Sequence, residues 1–208
     1  NAEFFSKLIK NNYSPGYTKL ETHNFCQIQG FKHDDFYVLS IGAEKKYREW
    51  SIDSYTAIAQ LIYKHTGWVG IISGVEKDFN LGEKIQSLSG VPLENLAGKT
   101  SLSELASLLG KSHLVISNET GTAHISAAVG TPTVCILGGG HFDRFAPYPD
   151  LPGKNTFLKP IFNKMLCYNC NWECVYPIKK DEPAQCIQNV SVEAVWNEVE
   201  KIIEADVS

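Results

Sequence analysis

Between Asn118 and His124 the chain reads NETGTAH, which gathers two hydroxyls, a glycine, a carboxylate and a histidine into seven residues. Gly121 allows close backbone approach, and Thr120 and Thr122 can each donate a hydrogen bond. Where such a run opens a helix, the first amides have no carbonyl to pair with inside the helix, and they form a preorganised seat for a phosphate or diphosphate. Glu119 is the odd member. A carboxylate beside an anion repels it, so Glu119 suits a ribose or sugar hydroxyl better than a phosphate. His124 falls one turn inside the expected helix, where an isolated histidine reads as structural. The same small residues could also do no more than turn and cap the chain. A second constellation is C-x2-C-x3-C-x11-C at Cys167, Cys170, Cys174 and Cys186. Four thiolates could close a tetrahedral structural zinc site, with free thiols or a disulfide as the alternatives. No histidine in the segment partners them, so the role expected is structural rather than catalytic.

The elements around these residues alternate in period. FYVLSIGA from Phe36, WVGIIS from Trp68 to Ser73, a short run near Glu94 to Ala97, HLVISN ending at Asn118 and TPTVCILG read as buried strands. Between them, helices are expected from a Ser51 cap to about His65, from about Phe79 to Ser89, from a Ser101 cap to about Leu109, and from about Thr120 to Val129. This rhythm implies an α/β fold, a doubly wound parallel sheet of Rossmann-like type with helices on both faces. Ligands of such sheets sit beyond the carboxyl ends of the strands. Residues 1–35 read as a lead-in of short helix, turn and irregular chain, and 36–208 as the domain proper. Past Gly138 the rhythm fails in GGGHFDRFAPYPDLPG, whose glycines suggest either a flap carrying His141, Asp143 and Arg144 or a mere surface turn. A cysteine-containing connector follows at 165–190, and a helix over 191–205 should pack Val192, Val195, Trp196, Val199, Ile202 and Ile203 back on the sheet.

Composition narrows the function classes. The 208 residues suffice for one well-buried domain, or one domain and part of another, and a net charge of −4 argues against nucleic-acid binding through bulk electrostatics. No apolar run is long enough to span a membrane. The absence of a leader and the spacing of the six cysteines point to a cytoplasmic protein rather than a disulfide scaffold, although the start could be cut. The glycosylation triplets at Asn12, Asn118 and Asn189 are therefore discounted.

The ordered stretch NLAGKTSLSELASLLGKSHLVISNETGTAHISAAVGTPTVCILGG resembles the family 9 glycosyltransferases, which include the ADP-heptose:lipopolysaccharide heptosyltransferases. The resemblance takes in IGAEKKYREWS and ISGVEKD upstream and the cysteines and SVEAV helix downstream, about Phe36 to Ile203. It implies a GT-B enzyme of two Rossmann-like domains, of which this chain resembles the carboxy-terminal, donor-binding one. The acceptor domain and its catalytic carboxylate are expected elsewhere, so this chain alone is expected to be inactive. Residue by residue, the family's D-T-G-x-x-H signature falls on Glu119, Thr120, Gly121 and His124, with Glu119 in place of the commoner Asp and Thr122 inside the motif. Arg48, two places before Trp50, falls where Lys is usual and would stabilise the leaving group. The acidic position after the second strand falls on Asp78, with Glu76 as competitor, and Thr100 falls in the region that lines adenine.

The reaction implied is inverting transfer from an ADP-sugar, ADP-heptose first, to a lipopolysaccharide or surface-glycan acceptor. No cofactor is implied for the chemistry, since no D-x-D pair is placed to hold a divalent metal. Peripheral association of the whole enzyme with the inner face of a bacterial inner membrane follows from the same resemblance. The competing classes are a non-catalytic nucleotide-binding domain and another GT-B-like enzyme such as a sugar-nucleotide epimerase.

Overall fold

In the computed structural model, residues 16–21, 25–151, 156–179 and 181–207 are described. Six parallel strands form one sheet: β1 (Phe36–Ser40), β2 (Val69–Ser73), β3 (Leu93–Asn95), β4 (Leu114–Asn118), β5 (Thr133–Ile136) and β6 (Leu158–Ile161). Their spatial order is β3-β2-β1-β4-β5-β6. The chain therefore winds outward to one edge, returns to the middle and winds to the other, which is the doubly wound topology expected. The helices are α1 (Ile52–Thr66), α2 (Phe79–Ser89), α3 (Leu102–Lys111), α4 (Gly121–Ala128), α5 (Gln185–Gln188) and α6 (Val192–Val207).

The strand period sorts side chains onto two cores. Tyr37, Leu39 and Ile41 pack with Ile58 and Ile62 of α1 and with Val195 and Val199 of α6. Phe36 and Val38, one residue out of phase, pack with Leu108 and Leu109 of α3 on the opposite face. All six apolar residues expected on the last helix join the first of these cores. Ser51 caps α1 by accepting from the Ser54 amide at 3.1 Å. Ser101 and Glu104 form a reciprocal capping box on α3. The Glu104 carboxyl is held below its ordinary range by hydrogen bonds from the Ser101 hydroxyl and amide.

Two elements lie outside the predicted alternation of strand and helix. β6 is a short edge strand that contains Pro160, and an edge is where a residue without an N–H can pair. α5 is a four-residue turn of helix inside the connector, and Cys186 and Ile187 bury from it. Residues 16–21 and 25–35 are without helix or strand, and the short helix expected nearer the start lies outside the described residues. Among the described residues no helix is long and apolar enough to cross a membrane.

Candidate functional site

The strand order reverses between β1 and β4. Beyond the carboxyl ends of the strands at this switch point lies a cavity of about 590 Å³, walled by the loops after β1 (Gly42, Ala43, Glu44), β2 (Gly74 to Asp78), β3 (Gly98, Thr100, Ser101) and β4 (Thr120, Thr122). Asn118 fixes the middle of it. Its buried amide donates to the Ile41 carbonyl at 2.9 Å while its oxygen accepts from the Trp50 amide at 2.9 Å, so the end of β4 is stitched to the loop after β1.

The amino end of α4 meets this cavity through Thr120 and Thr122. Unlike Ser51 and Ser101, Thr120 makes no capping hydrogen bond to its own helix. The Ala123 amide donates back to the Thr120 carbonyl at 3.2 Å, while the Gly121 and Thr122 amides are left to other partners, which is the condition for an anion seat. Thr100 lines the cavity wall while the cap of α3 falls to its neighbour Ser101. Three apolar side chains, Val75, Leu102 and Leu105, also face it. Val75 and Leu102 are 59% and 70% exposed. Leu102 stands at the first position of α3, off the buried stripe, and that misplaced apolar residue was the signal available in the sequence.

The two acidic candidates after β2 have different surroundings. Asp78 is buried, its carboxylate accepts from the Val75 amide at 2.9 Å, and it fills the space that Gly42 and Gly74 leave open by having no Cβ. It holds the loop in shape from behind. Glu76 is exposed at the cavity wall. Lys77 ties this loop to the one after β1 by donating to the Ala43 carbonyl at 2.8 Å.

Arg48 and Glu119 stand beside the cavity as a pair. Arg48 Nη2 donates to the Glu119 carbonyl at 3.1 Å and to Glu119 Oε2 at 3.3 Å, while Nη1 lies 3.8 Å from Glu44 Oε2. The Glu119 carboxyl is nonetheless raised above its ordinary range, because burial outweighs the favourable fields of Arg48 and His141. This carboxylate is engaged by the Arg48 guanidinium, whose charge offsets the repulsion a Glu would bring to an anion site.

His124 is turned elsewhere. Its Nδ1 lies 2.7 Å from the Tyr148 hydroxyl, the two rings stack at 5.7 Å, and both border a second cavity of about 900 Å³ on the far side of α4. Burial lowers the His124 pKa, so the ring is neutral at neutral pH and offers hydrogen bonds rather than charge.

The glycine loop after β5 is a packing surface. Tyr168 lies on Gly139 and Trp172 on Gly140, so closely that a Cβ on either glycine would overlap ring atoms. Asn169 and Asn171 amides donate to the Gly139 and Gly140 carbonyls at 2.8 and 2.9 Å. Asp143 takes a left-handed backbone at φ 62° in this loop, and the Arg144 guanidinium lies over Phe145.

Cys167, Cys170, Cys174 and Cys186 line one small cavity beside Gly139. Burial first, and then the neighbouring thiols, push Cys174 up to about 11. Among the described residues, however, no group of three or more His, Cys, Asp and Glu side chains is arranged to hold a metal. The four thiols share this cavity, and Cys170 and Cys174 are in side-chain hydrogen-bonding contact.

A family model described as glycosyltransferase family 9 (heptosyltransferase) matches residues 7–165. The chain belongs to glycosyltransferase family 9. The match starts earlier than the resemblance in the sequence and ends before Cys167, so the clustered cysteines lie outside it. Among curated relatives of this family 9 chain, the lipopolysaccharide core heptosyltransferase OpsX of Haemophilus influenzae is 32% identical over 117 residues, 55% of this chain and 33% of the relative. The chain spans about a third of the length of that relative. The Escherichia coli heptosyltransferase WaaC solved with ADP aligns at a TM-score of 0.68 and 16% identity, over 96% of this chain and 54% of its own. The E. coli ADP-heptose LPS heptosyltransferase II aligns at 0.65 and 18%, over 86% and 49%. At these identities the structural likeness establishes the fold.

Proposed function

We propose that this family 9 chain binds an ADP-linked sugar, ADP-heptose in the first instance, in the cavity between β1 and β4, and serves glycosyl transfer to a lipopolysaccharide or surface-glycan acceptor. The observation that carries the reading is the uncapped amino end of α4 opening on a cavity at the switch point of the sheet. An anion is the partner this end lacks, and a diphosphate there leaves its nucleoside against Val75, Leu102 and Leu105, whose exposure a purine would cover. Glu76, at the wall and free of the turn that occupies Asp78, is placed for a ribose diol. The names of the relatives, two of them solved with or named for ADP or ADP-heptose, support adenine and heptose as the first choice.

The chemistry follows from charge. As the acceptor hydroxyl attacks the anomeric carbon with inversion, its proton passes to the carboxylate expected in the acceptor domain, the C–O bond to the diphosphate breaks and the electron pair leaves with the nucleoside diphosphate. Preorganised donors where that charge develops lower the barrier, and the α4 amides, the Thr120 and Thr122 hydroxyls and the Arg48 guanidinium are the donors in reach. An acceptor held by the rest of a two-domain enzyme, at the inner face of the inner membrane, completes the proposal.

Calorimetry with ADP, UDP and GDP tests it. ADP is expected to bind at least about tenfold more tightly than the other two, a difference of roughly 1.4 kcal/mol. Equal affinities would remove the adenine reading, and no binding of any of the three would remove the site.

A further inference from the structure

We propose that Trp172 is a positioning residue for Arg48, its indole forming the floor that holds the guanidinium beside the diphosphate seat. The inference rests on the reading of Arg48 as the diphosphate cation. The guanidinium carbon lies 4.9 Å from the centroid of the Trp172 ring, within the range where a cation is attracted to an aromatic face. One edge of the fork is taken by Glu119 and the face by Trp172, and the Arg48 side chain is left 14% exposed. A long arginine side chain has many rotamers, and a ring across its face removes most of them before any ligand arrives.

Trp172 is itself held from several sides. Its ring lies so close on Gly138 and Gly140 that a Cβ at either position would overlap it, so only glycines allow the indole to lie there. Tyr47, one residue before Arg48, packs against it at 5.7 Å, and His141 meets it edge-on at 6.1 Å. His141 is in turn 3.1 Å from the Asn171 side-chain oxygen. The backbone of Trp172 has φ 64°, with Asn171 at 52° and Asn169 at 67°. A bulky residue rarely takes this left-handed conformation, and such strain persists where the surroundings fix it and the direction of the side chain matters. The indole Nε1 is buried without a hydrogen-bond partner, so the placement is not explained by the polar end of the ring. What the placement does achieve is a face under Arg48. The connector between Cys170 and Cys174 thus reaches the donor site through one side chain, although it lies outside the segment that the family model matches.

The test is ADP affinity, measured by calorimetry on the full chain and on Trp172→Ala, Trp172→Phe, Arg48→Ala and the Arg48→Ala/Trp172→Ala double variant, each first checked by thermal melting. Trp172→Ala is expected to weaken ADP about fivefold or more, the size of a partly desolvated cation–π contact, while Trp172→Phe stays within about twofold of the parent. In the Arg48→Ala background the Trp172→Ala change is expected to add nothing. Equal losses in both backgrounds would mean a general effect on the fold and would overturn the inference. If Trp172→Ala does not fold, Trp172→Leu keeps apolar bulk without a π face, and parental ADP affinity in that variant would overturn it as well. Should Arg48→Ala weaken ADP while no Trp172 variant does, this inference fails alone. Should Arg48→Ala leave ADP binding intact, the diphosphate role of Arg48 fails and the inference falls with it.

Discussion

Glu119 and Arg48 are 71 positions apart in sequence and 3.3 Å apart in the fold, and each alters the reading of the other. Taken alone, Arg48 is a loop arginine and Glu119 a carboxylate on the wrong side of an anion seat. Their pairing explains both, and no local pattern announces it. Asp78 illustrates the opposite limit: its acidic type and its place after β2 were legible, but the absence of Cβ atoms at Gly42 and Gly74, which draws it inward, is a three-dimensional fact. Two predictions belong at this scale. Arg48→Ala should weaken ADP by about 1.5–3 kcal/mol, the range for hydrogen bonds to charged groups, and unchanged calorimetric affinity would take Arg48 out of the site. Glu119→Gln should change how stability depends on pH. A carboxyl with its folded pKa raised contributes stability that is fully present below the unfolded value, about 4.3, and is lost as pH rises through the folded one. Glutamine cannot ionise, so the stability of the parent relative to Glu119→Gln should fall as pH rises above about 4.3 in urea titrations. A gap that stays constant or moves the other way would contradict the burial argument.

The ends of helices separate structural hydroxyls from those available to a ligand. Ser51 and Ser101 accept from amides of their own helices, whereas Thr120 does not. All three sit where a Ser or Thr precedes an apolar-periodic run, so the sequence placed the helices but could not tell a cap in use from one left open. Ser101→Ala should therefore cost about 1 kcal/mol of stability, while Thr120→Ala should cost less than about 0.5 kcal/mol and yet weaken ADP. Denaturant unfolding and calorimetry on the two variants check this, and the reverse assignment would mean that α4 is capped in solution. The periodic elements were legible because their side chains repeat along the sheet and helices. β6 and the connector were not: one is an edge strand carrying Pro160, and the other is held by Tyr168 and Trp172 against Gly139 and Gly140 rather than by any repeat.

At the scale of the molecule, four loops from strands far apart in sequence meet only because the chain doubles back between β1 and β4. The alternation of strand and helix made that crevice predictable, and its apolar wall at Val75, Leu102 and Leu105 completes it. A ligand that bridges these loops binds the folded chain and not the unfolded one, so it must stabilise the whole. At a free ADP concentration a hundred times the dissociation constant the gain is about 2.7 kcal/mol. For a chain of this length that corresponds to a rise in melting temperature of roughly 5–10 °C. Leu102 is largely exposed, so Leu102→Asp should leave the melting temperature of the free chain nearly unchanged while reducing the ADP-induced rise, because an ionised side chain then faces the nucleoside. A full rise in Leu102→Asp would move the nucleoside away from α3, and no rise in the parent at saturating ADP would remove the nucleotide from the switch-point cavity altogether.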